Sequence, residues 1–274
     1  MSARVFQYHA HGFALGGSFT QPFKAEIDTH AATTLPVVGG YASAHAEDYR
    51  FKDLVSFKSA HTYISGIRNE DGTHSTVVNT VVEKLDILGV ITADAIIGRL
   101  SSKHKDDDGE PEIIPLGSSF ENLRIAGQPV HVDLHNELFL DHPSYSALTN
   151  HLTSQGSSAA AANIKYVWEQ AGDELPPKLE QGMMVPRDAG FAHSKGVLHN
   201  SLVKQVRLSN SAGSVDEIPY GYAIRIPQVG CVYLGELFTS GSMKRLTMLR
   251  AELGSPVVGT LAVSGPVTNG NWYP

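Results

Sequence analysis

An all-β fold is what this sequence predicts: a β-sandwich or barrel-like antiparallel sheet, with one or two short helices inserted near residues 141–171. Three observations lead there. β-branched residues concentrate in residues 75–134, in runs such as Thr76-Val77-Val78 and Ile96-Ile97, cut by single glycines and short polar breaks. That is the texture of paired strands in a packed sheet. Residues 42–51 then alternate small or apolar with polar side chains, and Phe51, Val55 and Phe57 continue the run. Charged residues make up only 18% of the chain and glycines number 26, a balance that suits strands and turns better than a helical bundle.

Taken in order, residues 1–45 hold short apolar runs broken by Gly12, Gly16-Gly17, Pro22, Pro36 and Gly39-Gly40, and predict short strands and turns. Asn69-Glu70-Asp71-Gly72 reads as a hairpin turn, Asp-Gly being its strongest signal. Thr92-Ala93-Asp94 also admits a short helix, with Ala93, Ile96, Ile97 and Leu100 at helical spacing, against the strand reading of the same residues. From Asp141 a helix is expected: Asp141 as N-cap, Pro143 near the first turn, and Tyr145, Leu148 and Leu152 along one face. A second helix is expected over residues 157–171, stopped at Gly172. Residues 172–190 read as an exposed connection, and strands resume from Gly196. The organisation is a single β domain over 1–274 with a helical or loop insertion at about 141–195. The alternative is two β subdomains, 1–150 and 196–274.

With 274 residues the chain can bury a sizeable core. A net charge of −7 and no Lys/Arg run argue against nucleic acid. The single cysteine, Cys231, excludes an intrachain disulfide and reads as a small hydrophobe in an apolar strand. No segment approaches the roughly 20 apolar residues of a membrane helix. The N-terminus carries no signal-peptide core, so the chain is expected to act where it is made unless a leader has been removed.

The residues best placed for chemistry are His131-Val132-Asp133-Leu134-His135. On a strand, alternate residues share a face, so His131, Asp133 and His135 would point together and could ligate Zn²⁺ or a similar ion. The competing reading is a solvated polar face opposite Val132 and Leu134. His9-Ala10-His11 has the same spacing. Asp106-Asp107-Asp108-Gly109-Glu110 could offer carboxylates to Ca²⁺ but lacks the alternation of an EF-hand loop. No nucleophile elbow, dinucleotide fingerprint or phosphate loop is present. Tyr220, Tyr222, Tyr233, Trp272 and Tyr273 would either line a carbohydrate site or pack, and packing is favoured.

Three segments bear a family resemblance: Thr80–Ile96, with its Gly89-Val90-Ile91-Thr92-Ala93-Asp94 core, then Gly117–Val130, with Gly117-Ser118-Ser119-Phe120-Glu121-Asn122-Leu123 closing on Gly127-Gln128-Pro129, then Ile224–Leu234, an apolar strand, Pro227, two residues, Gly230 and a further strand. Together, over about a third of the chain, they resemble bacterial surface proteins of the choice-of-anchor P type. The resemblance implies an all-β, exported, non-catalytic protein, at the cell surface or outside the cell. Leu138–Leu148 also echoes Tyr222–Val232 in proline register, which argues for a hairpin there. The stripe of Tyr145, Leu148 and Leu152 favours the helix. The functional expectation is a structural, adhesive or self-assembling β protein, with self-association or a glycan or cell-surface partner. The alternatives are a metal-dependent enzyme at His131, Asp133 and His135, and a secreted toxin or glycan-binding protein.

Overall fold

Four long alternating segments organise the fold. β5 (Gly40–Phe51), β6 (Val55–Arg68), β7 (His74–Ile87) and β8 (Ile91–His104) form an antiparallel meander. The computed structural model describes residues 4–105, 109–154, 197–208, 219–220, 222–226, 228–241 and 243–273, and structural statements concern these. The Asp-Gly turn joins β6 to β7 as the sequence predicts. Asn69 and Thr73 close it by a backbone hydrogen bond, Gly72 takes φ +83°, and the Asp71 carboxylate accepts from the Thr73 N–H at 3.0 Å. The Thr92–Leu100 stretch is strand, not helix. Ala93, Ile96 and Leu100 of β8 are buried at strand spacing, broken only by the irregularity described below.

Short strands complete this sheet. β9 (Glu112–Ile114), β10 (Ser119–Glu121) and β11 (Arg124–Ile125) lie one after another along the second side of β8. β11 passes the sheet on to β12 (Gln128–Leu134), β14 (Val203–Leu208) and β15 (Pro219–Tyr220).

The second sheet is centred on the hairpin of β17 (Gly230–Ser240) and β18 (Met243–Leu253). β13 (Val197–Ser201) and β16 (Ala223–Ile226) share the outer side of β17. Beyond β18 the sheet forks. One arm is β19 (Val258–Val263), β2 (Leu15–Gln21) and β3 (Ala25–His30). The other is β20 (Val267–Tyr273), β1 (Val5–Gly12) and β4 (Thr33–Thr34). Each sheet therefore joins strands that precede residue 135 with strands that follow residue 196, and the two antiparallel sheets make the sandwich-like, all-β fold expected.

The core lies between the sheets. Val82, Ile96 and Leu100 of the meander are packed in one cluster with Leu15, Phe19, Leu246, Met248 and Val263 of the second sheet. A second cluster, Phe6, Tyr8, Ala10 and Leu35 against Ile64 and Val78, seats β1 on β6 and β7. The inward alternation changes phase at one level across the meander: after Ala46 in β5, Phe57 in β6, Val82 in β7 and at Ala95-Ile96 in β8. Asp48 (φ +49°) and Lys84 (φ +53°) sit at that level. Asp48 pairs with Lys58 at 2.5 Å and Lys84 with Asp94 at 2.7 Å. β17 and β18 change phase together as well, at Gly235 (φ +61°). Such paired irregularities bend long strands so that two twisted sheets stay in contact.

Among the described residues two helices follow β12: α1 (Asn136–Asp141) and α2 (Tyr145–Ser154). The helical reading of the 141–155 segment holds, and the proline-register hairpin does not form. The start is displaced, however. Asp141 closes α1, and the cap of α2 is Ser144, whose Oγ accepts from the Ala147 N–H at 3.2 Å. Leu138, Phe139 and Leu148 are buried in the main core. The expected helix at 157–171 and connection at 172–190 lie outside the described residues.

Candidate functional site

A cleft of about 470 Å³ opens where the ends of β8 and β20 meet the loop before β9 and the β17–β18 turn. Its lining includes His104, Glu110, Gly270, Asn271, Trp272 and Tyr273. Strand pairing assembles it. His74 and His104 are register partners at the ends of β7 and β8, and β1 lies beside β20 with Phe6 opposite Trp272.

Behind the cleft the side chains form an aromatic and imidazole cluster. The Phe6 ring stacks on His74 at 4.2 Å between centroids and meets Trp272 edge-on at 5.2 Å. The Tyr8 hydroxyl and His74 Nδ1 are hydrogen-bonded at 2.7 Å. Trp272 Nε1 donates to the Lys105 carbonyl at 3.1 Å, which ties β20 to the end of β8. Gly270 is the keystone. A Cβ there would stand 2.9 Å from Phe6 Cε1, overlap Phe6 Cζ, and approach His104 Nε2 at 3.3 Å.

His104 is 5% exposed, and among the described residues its buried Nε2 has no hydrogen-bond partner. Burial pushes its pKa down to about 4, and the nearby Lys244 and His74 add to the shift. Lys244 lies deeper, 1% exposed, with its Nζ donating to the Pro111 and Glu112 carbonyls at 3.3 Å each. Burial lowers the Lys244 pKa to about 7, against an opposing pull from Glu110 and Glu112. The loop it holds is fixed from the other side too. Glu110 accepts from the Ser146 N–H at 2.9 Å and the Ser146 hydroxyl at 2.6 Å, at the start of α2.

The sequence-predicted metal residues are arranged differently from the expectation. His131 is exposed on β12, and Asp133 is half-buried. The ladder slips between Asp133 and Leu134, the strand ends, and His135 becomes the N-cap residue of α1. Period-two spacing therefore does not carry His135 onto the shared face. The Asp133 carboxylate is occupied: Arg207 Nη2 donates to both oxygens at 2.9 and 3.1 Å, and Gln205 Nε2 donates at 3.0 Å. The His135 pKa is pushed down by burial and by Lys204, with Glu137 opposing. Among the described residues no three His, Cys, Asp or Glu side chains are grouped to hold a metal ion. Asp106, Asp107 and Asp108 of the acidic loop lie outside the described residues.

Of the aromatics singled out in the sequence, Tyr222 and Tyr233 pack, and Trp272 and Tyr273 line the cleft. The Tyr233 ring carries the Arg250 guanidinium 3.8 Å above it. Arg250 forks onto the buried Glu236, with Nε donating at 2.6 Å and Nη2 at 2.8 Å. Sequence reasoning passed over His74, His104 and Lys244. Their signal was phase: each falls on the inward register of its strand, with Val78, Leu100 and Leu246 respectively.

The other notable surface is the free side of β5. Among the described residues β5 pairs only with β6 and ends the sheet. Tyr41, Ser43, His45 and Glu47 point outward, and residues 40–46 hold no proline and no Asp, Glu, Lys or Arg. Tyr41 lies 6.1 Å from Tyr63 between ring centroids, and Ile67 is its other diagonal neighbour on β6. Val37 and Val38 extend this exposed apolar strip, with Val38 84% exposed.

No curated protein matches this chain, and no solved structure matches it. A family model described as Domain of unknown function (DUF8256) matches residues 6–240, from β1 to the end of β17. The match covers most of the sandwich, and the chain belongs to the DUF8256 family.

Proposed function

We propose that this chain is a non-enzymatic β protein that self-associates through the free side of β5, in a structural or adhesive role at a cell surface. The observation that carries the reading is the uncharged edge over residues 40–46, flanked by exposed Tyr41, Tyr63, Ile67, Val37 and Val38. An edge strand offers unpaired N–H and C=O groups, and proteins that stay apart usually protect such an edge with charge, proline or a bulge. Here the protecting features, Glu47, Asp48 at φ +49° and Arg50, all lie in the second half of the strand. The first half is open to antiparallel pairing with a second copy, in a self-complementary two-fold contact. Centred on Ser43, that pairing sets Tyr41 of one copy opposite His45 of the other. The resemblance to choice-of-anchor P surface proteins supports the location.

Ser43 tests this reading because it is exposed and sits on the two-fold. Sedimentation of the wild type up to about 100 μM should show a reversible dimer or larger species. Ser43→Lys should return it to monomer by setting two ammonium groups face to face, as should Ser43→Asp. Mixing the two variants should restore association. A wild type that stays monomeric, or a Ser43→Lys variant that still associates, overturns the proposal.

A further inference from the structure

We infer that the seam where β1 and β20 meet the ends of β7 and β8 is an acid-operated latch: proton uptake by His104 releases the arm of β4, β1 and β20 from the meander while the main core stays closed. The inference is independent of the β5 edge and requires no second copy.

The arm is built to move as a unit. β20 joins the rest of its sheet through three register pairs, Met243–Arg245 of β18 against Val267–Asn269, and it carries β1 and β4 in turn. One end is tied down: the Gly265 N–H donates to the Phe13 carbonyl at 2.9 Å, and the Ser264 N–H to the Ala14 carbonyl at 2.7 Å. The other end, at Phe6 and Trp272, rests on the meander. Its seat is the small cluster of Phe6, Tyr8, Ala10 and Leu35 against Ile64 and Val78, which is separate from the main core. Opening that cluster leaves Val82, Ile96 and Leu100 packed against the second sheet, so the seam is a candidate for local rather than global opening.

The seat rests on imidazoles. His74 and His104 are register partners, both buried, and Phe6 covers both: it stacks on His74 at 4.2 Å and meets His104 at 5.0 Å between centroids. The charged groups around them are mostly cationic. β18 presents Lys244, whose pKa burial lowers to about 7, so the ammonium is charged throughout the acid range. Arg4 lies over the Trp272 ring of β20, and Arg68 of β6 acts on Tyr8 of β1. The nearest carboxylates serve other groups: Glu110 accepts from Ser146, and Glu112 stands 3.7 Å from Lys105. Among the described residues the groups that act on His104 are Lys244 and His74, and neither is an acid.

A proton on His104 therefore has burial and two basic neighbours against it, and only release of the arm lets water solvate the imidazolium. The closed seam holds its pKa at about 4, against 6.5 for the exposed ring. Above pH 6.5 neither form takes the proton and the seam keeps its full stability. As the pH falls from 6.5 to about 4 the open form gains a proton that the closed form refuses. The opening constant rises by up to tenfold per pH unit, about 300-fold in all.

The Trp272 indole tests this, because its N–H crosses the seam to the Lys105 carbonyl at 3.1 Å. Its hydrogen exchange is followed by NMR on the full chain from about pH 7.5 to 4.5, referenced to free tryptophan. Protection should be constant above about pH 6.5 and fall by up to tenfold per pH unit below it. It should stay at least about a hundredfold below that of the Met248 and Leu234 amides, which donate to the Ser264 and Tyr222 carbonyls in the main core. His104→Gln should remove the pH dependence. Only the slope is read, so a uniformly lower protection from altered packing does not disturb the test. The wild-type His104 ring carbon signal, which needs no variant, should titrate well below pH 6.5. Four results overturn the inference: protection that is flat down to pH 4.5, a slope that survives in His104→Gln, Trp272 protection equal to that of the core amides, or a His104 ring that titrates at its ordinary value.

Discussion

Replacing His104 with Gln removes one titrating group from the sealed wall of the cleft, and the effect on acid stability can be worked out. In the folded protein the imidazole is 5% exposed, with Lys244 of β18 and His74 of β7 near it, and its pKa falls from 6.5 to about 4. The unfolded chain keeps the ordinary value. Between pH 6.5 and about 4, the unfolded state therefore binds a proton that the folded state refuses, and stability falls as the pH drops through that window. Above pH 6.5 the group contributes no pH dependence, and below about 4 the deficit is complete. At 1.36 kcal/mol per tenfold, the displacement corresponds to a loss of about 3 kcal/mol. Urea unfolding of wild type and His104→Gln, stepped from about pH 7.5 to 4, isolates the group, since the carboxylates titrate alike in both chains. The variant starts at a disadvantage from altered packing, and that gap should close by about 3 kcal/mol toward pH 4. Parallel stability curves would refute the reasoning and mean that the folded imidazole takes up its proton freely.

Two further outcomes follow from packing and charge. Gly270→Ala should lower stability by about 1–3 kcal/mol, because its methyl would overlap Phe6 and crowd His104; thermal melts check this, and an unchanged midpoint would mean the aromatic cluster gives way freely. Arg250→Leu should cost about 3–5 kcal/mol at neutral pH, since it takes the guanidinium from Glu236, which is 2% exposed. Adding Glu236→Leu should recover most of that loss in the same denaturation assay, and a fully additive double variant would contradict the pairing.

The strands were legible because alternation over 12 to 14 residues leaves few other ways to bury one face. The β6–β7 turn was legible because Asp-Gly chemistry is local. The helix at α2 was visible in its stripe. Its start was misplaced because two capping candidates, Asp141 and Ser144, lie three residues apart, and α1 uses the first as its own end. His131, Asp133 and His135 illustrate the limit of spacing arguments. Period two holds only while a strand lasts, and β12 slips at Asp133 and ends at Leu134. The partner that engages Asp133, Arg207, is 74 residues away in sequence.

By itself, then, the sequence determined the all-β class, the long meander, its main turn and the inward faces of its strands, all consequences of local periodicity and turn chemistry. Only the tertiary structure decided which distant residues meet. It put β1 beside β20, set His74 across from His104, turned Lys244 onto the carbonyls of Pro111 and Glu112, and opened the cleft beside Trp272. Those meetings depend on long-range strand pairing and on the space a glycine leaves at position 270. Neither is written in any window of neighbouring residues.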